Sequence, residues 1–183
     1  VVEIFSLEER ENATQVSSEV MKKLSGLTTP PTVLAVCKMM DSREIKGNVL
    51  LLDGLQDPGN LGTIIRSAVA FGIDTIVASF HTVDVYNTKV LRSSEGMLFR
   101  MNYIVTDIRD FIKSKEQEMT FYTTDVLEGT SLKEVKVKKP FGLIVGNEGA
   151  GVSDEVSQYA HEKIHISMNP ACESLNVAMA TSI

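Results

Sequence analysis

The chain has 183 residues, a net charge of −6, and is 43% hydrophobic and 23% charged. At roughly 150 residues per domain it holds one full domain and part of another, large enough to bury about 70% of its unfolded surface without a disulfide or metal staple. This composition excludes disordered, collagen-like and fibrous proteins, and no apolar run nears the roughly 18 residues of a membrane span. Cys37 and Cys172 stand far apart without CxxC spacing. Neither a disulfide scaffold nor a zinc ribbon is supported, and the expected location is the reducing cytoplasm, away from membranes. In that setting Asn12-Ala13-Thr14 is read as a chance sequon. The chain opens with Val-Val and stops at Ile183 inside an apolar helical pattern, so part of a longer protein is expected.

In chain order, residues 17 to 26 read as a short helix. Ser17 and Ser18 stand at its start, Glu19 in the first turn, Lys22 and Lys23 in the last, and Gly26 after the end. Thr28-Thr29-Pro30-Pro31 breaks the chain before a strand at Val33 to Cys37. From about Gly47 strands and helices alternate regularly. The expected strands are Val49 to Asp53, Ile73 to Ser79, Asn102 to Val105, Thr120 to Thr123, Phe141 to Val145 and Lys163 to Ser167. The helices between them are Leu61 to Phe71, Thr88 to Glu95, Asp107 to Glu116 and Ser153 to His161, with a last one from Leu175. Apolar strands alternating with helices indicate an α/β fold, a parallel sheet flanked by helices on both faces. Ligands bind such sheets at the carboxyl ends of the strands. The loops at Asp53 to Asn60, Gly146 to Gly151 and Ser167 to Asn176 are therefore where chemistry is expected.

In the first loop and helix, Asn60 stands where an N-cap belongs, and Arg66 is the only charge between Pro58 and Ile73. Gly62, Thr63 and Ala70 lie one turn from it and leave room for something to approach. Taken alone, Arg66 reads as a surface arginine on an amphipathic helix; it would equally suit a phosphate, a carboxylate or a hydroxyl needing polarisation. In the second, a buried strand runs into Gly146-Asn147-Glu148-Gly149-Ala150-Gly151 and a helix. The spacing is GxxGxG, not the dinucleotide GxGxxG, and no Walker lysine follows. A tight turn explains the glycines as well as a ligand at the backbone does. Glu148 among them is hard to explain by packing, though it could cap the following helix. In the third, Ser174 and Asn176 are ordinary residues for a helix start.

Together, these segments resemble the three motifs of the SpoU-type RNA ribose 2′-O-methyltransferases of the SPOUT superfamily. Asn60-x-Gly62-x-x-x-Arg66 is similar to the first motif, Leu143-Ile144-Val145-Gly146-Asn147-Glu148-Gly149 to the second, and Ile166-x-Met168 through Ser174-Leu175-Asn176-Val177-Ala178 to the third. Between them, Asn87-x-Lys89-x-x-Arg92-x-Ser94-x-Gly96 resembles a family segment near the substrate site. Ser167 and Pro170 stand where the family usually has proline and glycine. The resemblance runs from about Val49 to Ile183, giving a catalytic domain over residues 47–183. Residues 1–46 resemble the remnant of a ribosomal-protein-like RNA substrate-binding domain with its linker.

What the resemblance implies is specific. The fold would carry a C-terminal deep trefoil knot, and the cofactor would be S-adenosylmethionine. Arg66 would activate the ribose 2′-hydroxyl, as base or as electrostatic stabiliser. Guanidinium groups hold their protons, which favours the second role. Asn60, Glu148, Ser174 and Asn176 would complete the catalytic set. Thr123, Gly146, Asn147, Gly149, Ile166, Met168, Ser174 and Leu175 would hold the cofactor. Lys89, Arg92 and Ser94 would bind RNA, ribosomal RNA ahead of transfer RNA. No metal is expected, since His81, His161 and His165 lack ligand-like spacing. Lys133, Lys136, Lys138 and Lys139 form a second basic cluster that reads equally as RNA contact or as a solvated loop. A homodimer is expected because Val177, Ala178, Met179, Ala180 and Ile183 make the last helix apolar on more than one face. Two rivals remain: a non-catalytic RNA-binding module of the same fold, and a nicotinamide-binding dehydrogenase.

Overall fold

The computed structural model describes residues 1–183, which form two compact units, Val1–Asp41 and Ser42–Ile183. The first unit contains β1 (Glu3–Ser6), β2 (Thr14–Gln15), α1 (Ser18–Ser25) and β3 (Val33–Val36). Its sheet has the order β2-β1-β3, with β1 parallel to β2 and antiparallel to β3. The helix expected at residues 17 to 26 is present. The Ser17 side chain accepts from the amide of Val20, and Gly26 closes the end at φ 65°. Strands β1 and β2 are additions to the sequence reading; both are short, and nothing periodic marks them.

The second unit follows as β4 (Val49–Asp53), α2 (Pro58–Ala70), β5 (Thr75–Ala78), α3 (Thr88–Ser93), a 3₁₀ turn (Met97–Arg100), β6 (Asn102–Val105), α4 (Ile108–Lys115), β7 (Thr120–Asp125), β8 (Thr130–Ser131), β9 (Phe141–Gly146), α5 (Asp154–Ser157), β10 (Glu162–His165) and α6 (Val177–Ser182). The two units divide at Asp41–Ser42. Asn102 holds Arg43 at both its amide (2.8 Å) and its carbonyl (3.0 Å), and Ile45 packs on the core of the second unit. No helix is long and apolar enough to cross a membrane.

Seven strands form one sheet in the order β6-β5-β4-β9-β7-β10-β8, and every pairing is parallel. Burial on both faces explains the unbroken apolar run Val49 to Leu52, each residue fully buried. Val49, Leu51, Val77, Phe121 and Ile144 face α4 and α5 through Ile108, Phe111, Ile112 and Val156. Leu50, Leu52 and Ile76 turn the other way and are equally buried, which requires a second helical layer. Helix α2, with α3 and α6 packed against it, supplies it. From β4 the chain moves outward through β5 to β6, whereas β9, β7 and β10 lie on the other side. The carboxyl ends of β4 and β9, in register at Asp53 and Gly146, thus flank the point where strand order reverses.

Candidate active site

Helix α2 begins earlier than its apolar stripe indicated. Asp57 is the N-cap, its Oδ1 accepting from the Asn60 amide at 2.8 Å, and Pro58 occupies the first turn. Asn60 is therefore inside the helix and not its cap, which frees its side chain for another purpose. Asp-Pro is a start signal readable in the sequence, and it places the helix three residues upstream. Hydrogen bonding from the Asn60 amide, followed by the charge of Lys89, holds the Asp57 carboxyl below the usual carboxylate range.

Glu148 connects the three loops. Its Oε1 accepts from the Asp57 amide (2.9 Å) and the Asn60 side chain (3.1 Å), and its Oε2 accepts from the Gln56 amide (3.1 Å). Asn60 Oδ1 in turn accepts from the Asn176 side chain at 3.0 Å. Asn176 Oδ1 caps α6 through the amides of Ala178 and Met179. A carboxylate at the N-terminal approach to α2 is favoured by the free amides and the helix dipole. Glu148 therefore serves α2, across the sheet crevice, and not the helix that follows it. Ser174 does not cap α6, since the structure gives that place to Asn176.

Partial burial opposes ionisation of Glu148, but the bonds from Asn60, Asp57 and Gln56 outweigh it and lower its pKa. A depressed native pKa adds stability that is present above the ordinary glutamate value of 4.5 and is lost as pH falls through the native value. In Glu148→Gln one of the three donors would face an amide NH₂. Glu148 is exposed, so solvent screens much of the effect, and we expect a loss of at most about 1 kcal/mol at neutral pH that shrinks below pH 4, measured by thermal denaturation across pH. Equal melting of both proteins at pH 7 would contradict this.

The loop after β9 is closed on itself. Asn147 and Gly151 exchange backbone bonds at 2.9 Å each way, and Asn147 Oδ1 accepts from the amides of Gly149 and Ala150. The Asn147 amide group also donates to the Gly54 carbonyl. Asp53 Oδ2 pins the far end through the amide (2.9 Å) and hydroxyl (2.7 Å) of Ser153. Asp53, the first residue of the first expected loop, thus ties that loop to the second.

Beside this loop, under the ends of β7, β9 and β10, lies a cavity of about 470 Å³. Its lining includes Gly146, Asn147, Gly149, Ile166, Met168, Ser174 and Leu175, each expected to hold the cofactor, and also Glu148. Thr123 is the exception. It is 1% exposed with its hydroxyl turned into the protein, and strand alternation presents Thr124 to the cavity instead. Asp125 and Lys163 are wall residues that the sequence reading missed. Lys163 Nζ sits 3.4 Å from Asp125 Oδ2 and 2.8 Å from Glu128 Oε2. Backbone amides of Glu128 and Leu127, then Lys163, hold the Asp125 carboxyl low. Ser167 ties the third loop to β8 through a 2.9 Å contact with the Ser131 hydroxyl.

Arg66, Asn60 and Asn176 lie outside the cavity lining. Arg66 is half exposed, and its one partner is Glu95, 3.3 Å away. The room that Gly62 seemed to leave beside Arg66 is taken by α3, since a Cβ there would stand 1.9 Å from Ser93 Oγ. Lys89 pairs with Asp57 at 3.4 Å, and Arg92 is exposed without a partner. Ser94 does not fit a role in RNA contact: it is fully buried and its hydroxyl bonds the Leu91 carbonyl. The histidines are structural or free. His161 accepts from the Phe121 amide and stacks on that ring, and His165 contacts the Gly129 carbonyl.

An all-parallel α/β sheet with three polar loops and a cavity at its carboxyl edge defines a ligand-binding enzyme domain. The chain belongs to the SpoU rRNA Methylase family, whose model matches residues 47–183. It is 35% identical over 170 residues to a 23S rRNA (guanosine(2553)-2′-O)-methyltransferase of Bacillus subtilis, covering 92% of this chain and 68% of that protein. It is 31% identical over 166 residues to a 23S rRNA (uridine(2479)-2′-O)-methyltransferase of Streptomyces viridochromogenes, covering 84% of this chain and 58% of that one. The solved SpoU methyltransferase AviRb from the same organism, in complex with AdoMet, superposes with a TM-score of 0.85 at 25% identity, over 98% of this chain and 78% of that chain. An rRNA methyltransferase from Sinorhizobium meliloti superposes with a TM-score of 0.82 at 28% identity, over 91% and 66%.

The cavity fits such a cofactor. Its volume lies within the roughly 300–1,000 Å³ of small-ligand sites. Leu143, Ile166, Met168 and Leu175 give apolar walls for a purine, and the backbone of the 146–151 loop supplies polar groups along one side.

Proposed function

We propose that this chain transfers a methyl group from S-adenosylmethionine to a ribose 2′-hydroxyl of RNA, with ribosomal RNA as the substrate class. The observation that carries this reading is the Glu148–Asn60–Asn176 chain of hydrogen bonds, which joins all three loops beside one cavity. When bound, the cofactor supplies an electrophilic sulfonium methyl. Gly146, Asn147, Gly149, Ile166, Met168, Ser174 and Leu175 hold its adenosine portion in the cavity. Glu148, Asn60 and Asn176 fix the start of α2 against that cavity and so set where Arg66 stands. Arg66 donates to the attacking oxygen and stabilises the charge that grows on it as the hydroxyl passes its proton to solvent water. Lys89 and the unpaired Arg92 take backbone phosphates. Residues 1–46 are read as the remnant of a ribosomal-protein-like RNA substrate-binding domain with its linker, and the enzyme works in the cytoplasm.

The C-terminal segment is read as a deep trefoil knot. Support comes from the chain path: β10 lies beyond β7, yet the following residues return to place α6 against α2 and β9. We also read the protein as a homodimer. Helix α6 buries Ala178 on its own chain while Met179 and Ile183 remain 59% and 66% exposed. Light scattering at micromolar concentration should give about twice the 20.1 kDa chain mass, and Met179→Glu should return the single-chain value. A monomer for the unmodified chain would contradict the dimer.

The function is tested by titration with S-adenosylmethionine and with NAD, followed by mapping of methyl groups on in vitro transcribed 23S rRNA. Binding of S-adenosylmethionine alone, with the methyl on a ribose, is expected. Binding of NAD, or cofactor binding without transfer, would replace the reading with one of its rivals.

A further inference from the structure

Arg66 has a single partner in the chain, and the residue that supplies it is unusual. Glu95 belongs to the turn between α3 and the following 3₁₀ turn, and its backbone sits at φ 47°. Glu95 and Asn12 are the only non-glycine residues in the left-handed region, and Gly96 follows directly at φ 79°. A long side chain is disfavoured there, where glycine or asparagine would fit with less strain. The turn is nonetheless held firmly. Ser94 is fully buried, with its amide on the Val90 carbonyl and its hydroxyl on that of Leu91. The Glu95 amide donates to the Arg92 carbonyl at 3.0 Å, and the Met97 amide to that of Ser94 at 2.9 Å. Ser93 is pressed against Gly62 one turn below Arg66, so the turn is built onto α2 itself. A strained residue kept in place by its surroundings points to a use for its side chain.

That use is visible in the geometry. The Glu95 carboxylate takes Nη1 of Arg66 at 3.3 Å. Arginine has five N–H donors, so the Nε and Nη2 side of the guanidinium stays open for another acceptor. Both side chains are exposed, 50% and 69%, so the pair stands where a large substrate can reach it. Such an exposed pair adds little to stability. We propose that Glu95 is a positioning residue for methyl transfer, fixing the plane of the Arg66 guanidinium so that its free edge meets the ribose oxygen.

This inference rests on the methyltransferase reading above and deepens it. Its consequence is an opposition between stability and rate. Glu95→Gly relieves the left-handed strain, so the melting temperature should hold or rise. The same variant lets the guanidinium rotate, and single-turnover transfer to 23S rRNA should slow by about tenfold or more at saturating cofactor and RNA. Affinity for S-adenosylmethionine should stay within twofold, because neither residue lines the cavity. Glu95→Gln, which keeps the length and one acceptor oxygen, should recover part of the rate. In the free protein, the ¹⁵N signals of the Arg66 side chain should show hindered guanidinium rotation that disappears in Glu95→Gly. A wild-type rate in Glu95→Gly, or unhindered Arg66 in the unmodified protein, overturns the role of Glu95. Absence of transfer by the unmodified protein overturns the functional reading instead, so the two failures are told apart.

Discussion

Arg66→Ala should slow single-turnover methyl transfer by at least about 100-fold, the usual cost of removing one donor to a developing oxyanion. S-adenosylmethionine affinity should change by less than tenfold, since Arg66 is not part of the cavity wall. The fold should be nearly indifferent. The side chain is half exposed and makes one ion pair, of a kind that contributes about 0–1 kcal/mol. Loss of rate with retained binding and stability distinguishes a group acting on the reacting oxygen from one that holds the site together. Arg66→Lys should restore little, because an ammonium cannot engage Glu95 and a ribose oxygen through one planar fork. Retained turnover in Arg66→Ala would remove Arg66 from the mechanism.

Gly146→Val should weaken cofactor binding at least about tenfold and also weaken the fold. A Cβ at this position would stand 2.0 Å from the Gly151 carbonyl carbon and 2.1 Å from both the Gly151 oxygen and the Val152 nitrogen. These are backbone atoms of a loop closed by the Asn147–Gly151 bonds, so no side chain can move aside to relieve the contact. The loop must open, and its backbone then leaves the cavity edge. Overpacking of this kind costs about 1–3 kcal/mol, and we expect a comparable loss in cofactor binding, at least about tenfold. The residues alone leave Gly146 between a tight turn and a ligand contact, and the resemblance assigns it to the cofactor. The structure assigns the glycine to the loop first, and to the ligand through the loop. Calorimetric titration and thermal denaturation of the same variant would check both parts; normal affinity in a normally stable Gly146→Val would contradict them.

The alternation of apolar runs with amphipathic stretches was sufficient to specify a parallel sheet, because a strand buried on both faces must be apolar at every position, as Val49 to Leu52 are. The three strand-end loops were equally readable. Glycine, proline and polar residues after such strands have few other places to go, and seven of the eight residues that the resemblance, not the local pattern, assigned to the cofactor line one cavity. Thr123 failed because a strand's last residues alternate faces, and a shift of one position exchanges a buried side chain for an exposed one. Ser94 failed because a polar residue beside basic ones looks exposed until the helix it terminates is seen to be packed. Partnerships across long sequence separations had no local trace at all. Glu148 caps the approach to α2 from 91 residues away, Asn176 reaches Asn60 across 116, and Glu95 meets Arg66 only because Ser93 fits against Gly62. Residue types and their local periodicity decide which face is buried and where a chain turns. Which two polar side chains share a hydrogen bond depends on how helices and loops dock over the sheet, and that is fixed by packing of the whole unit.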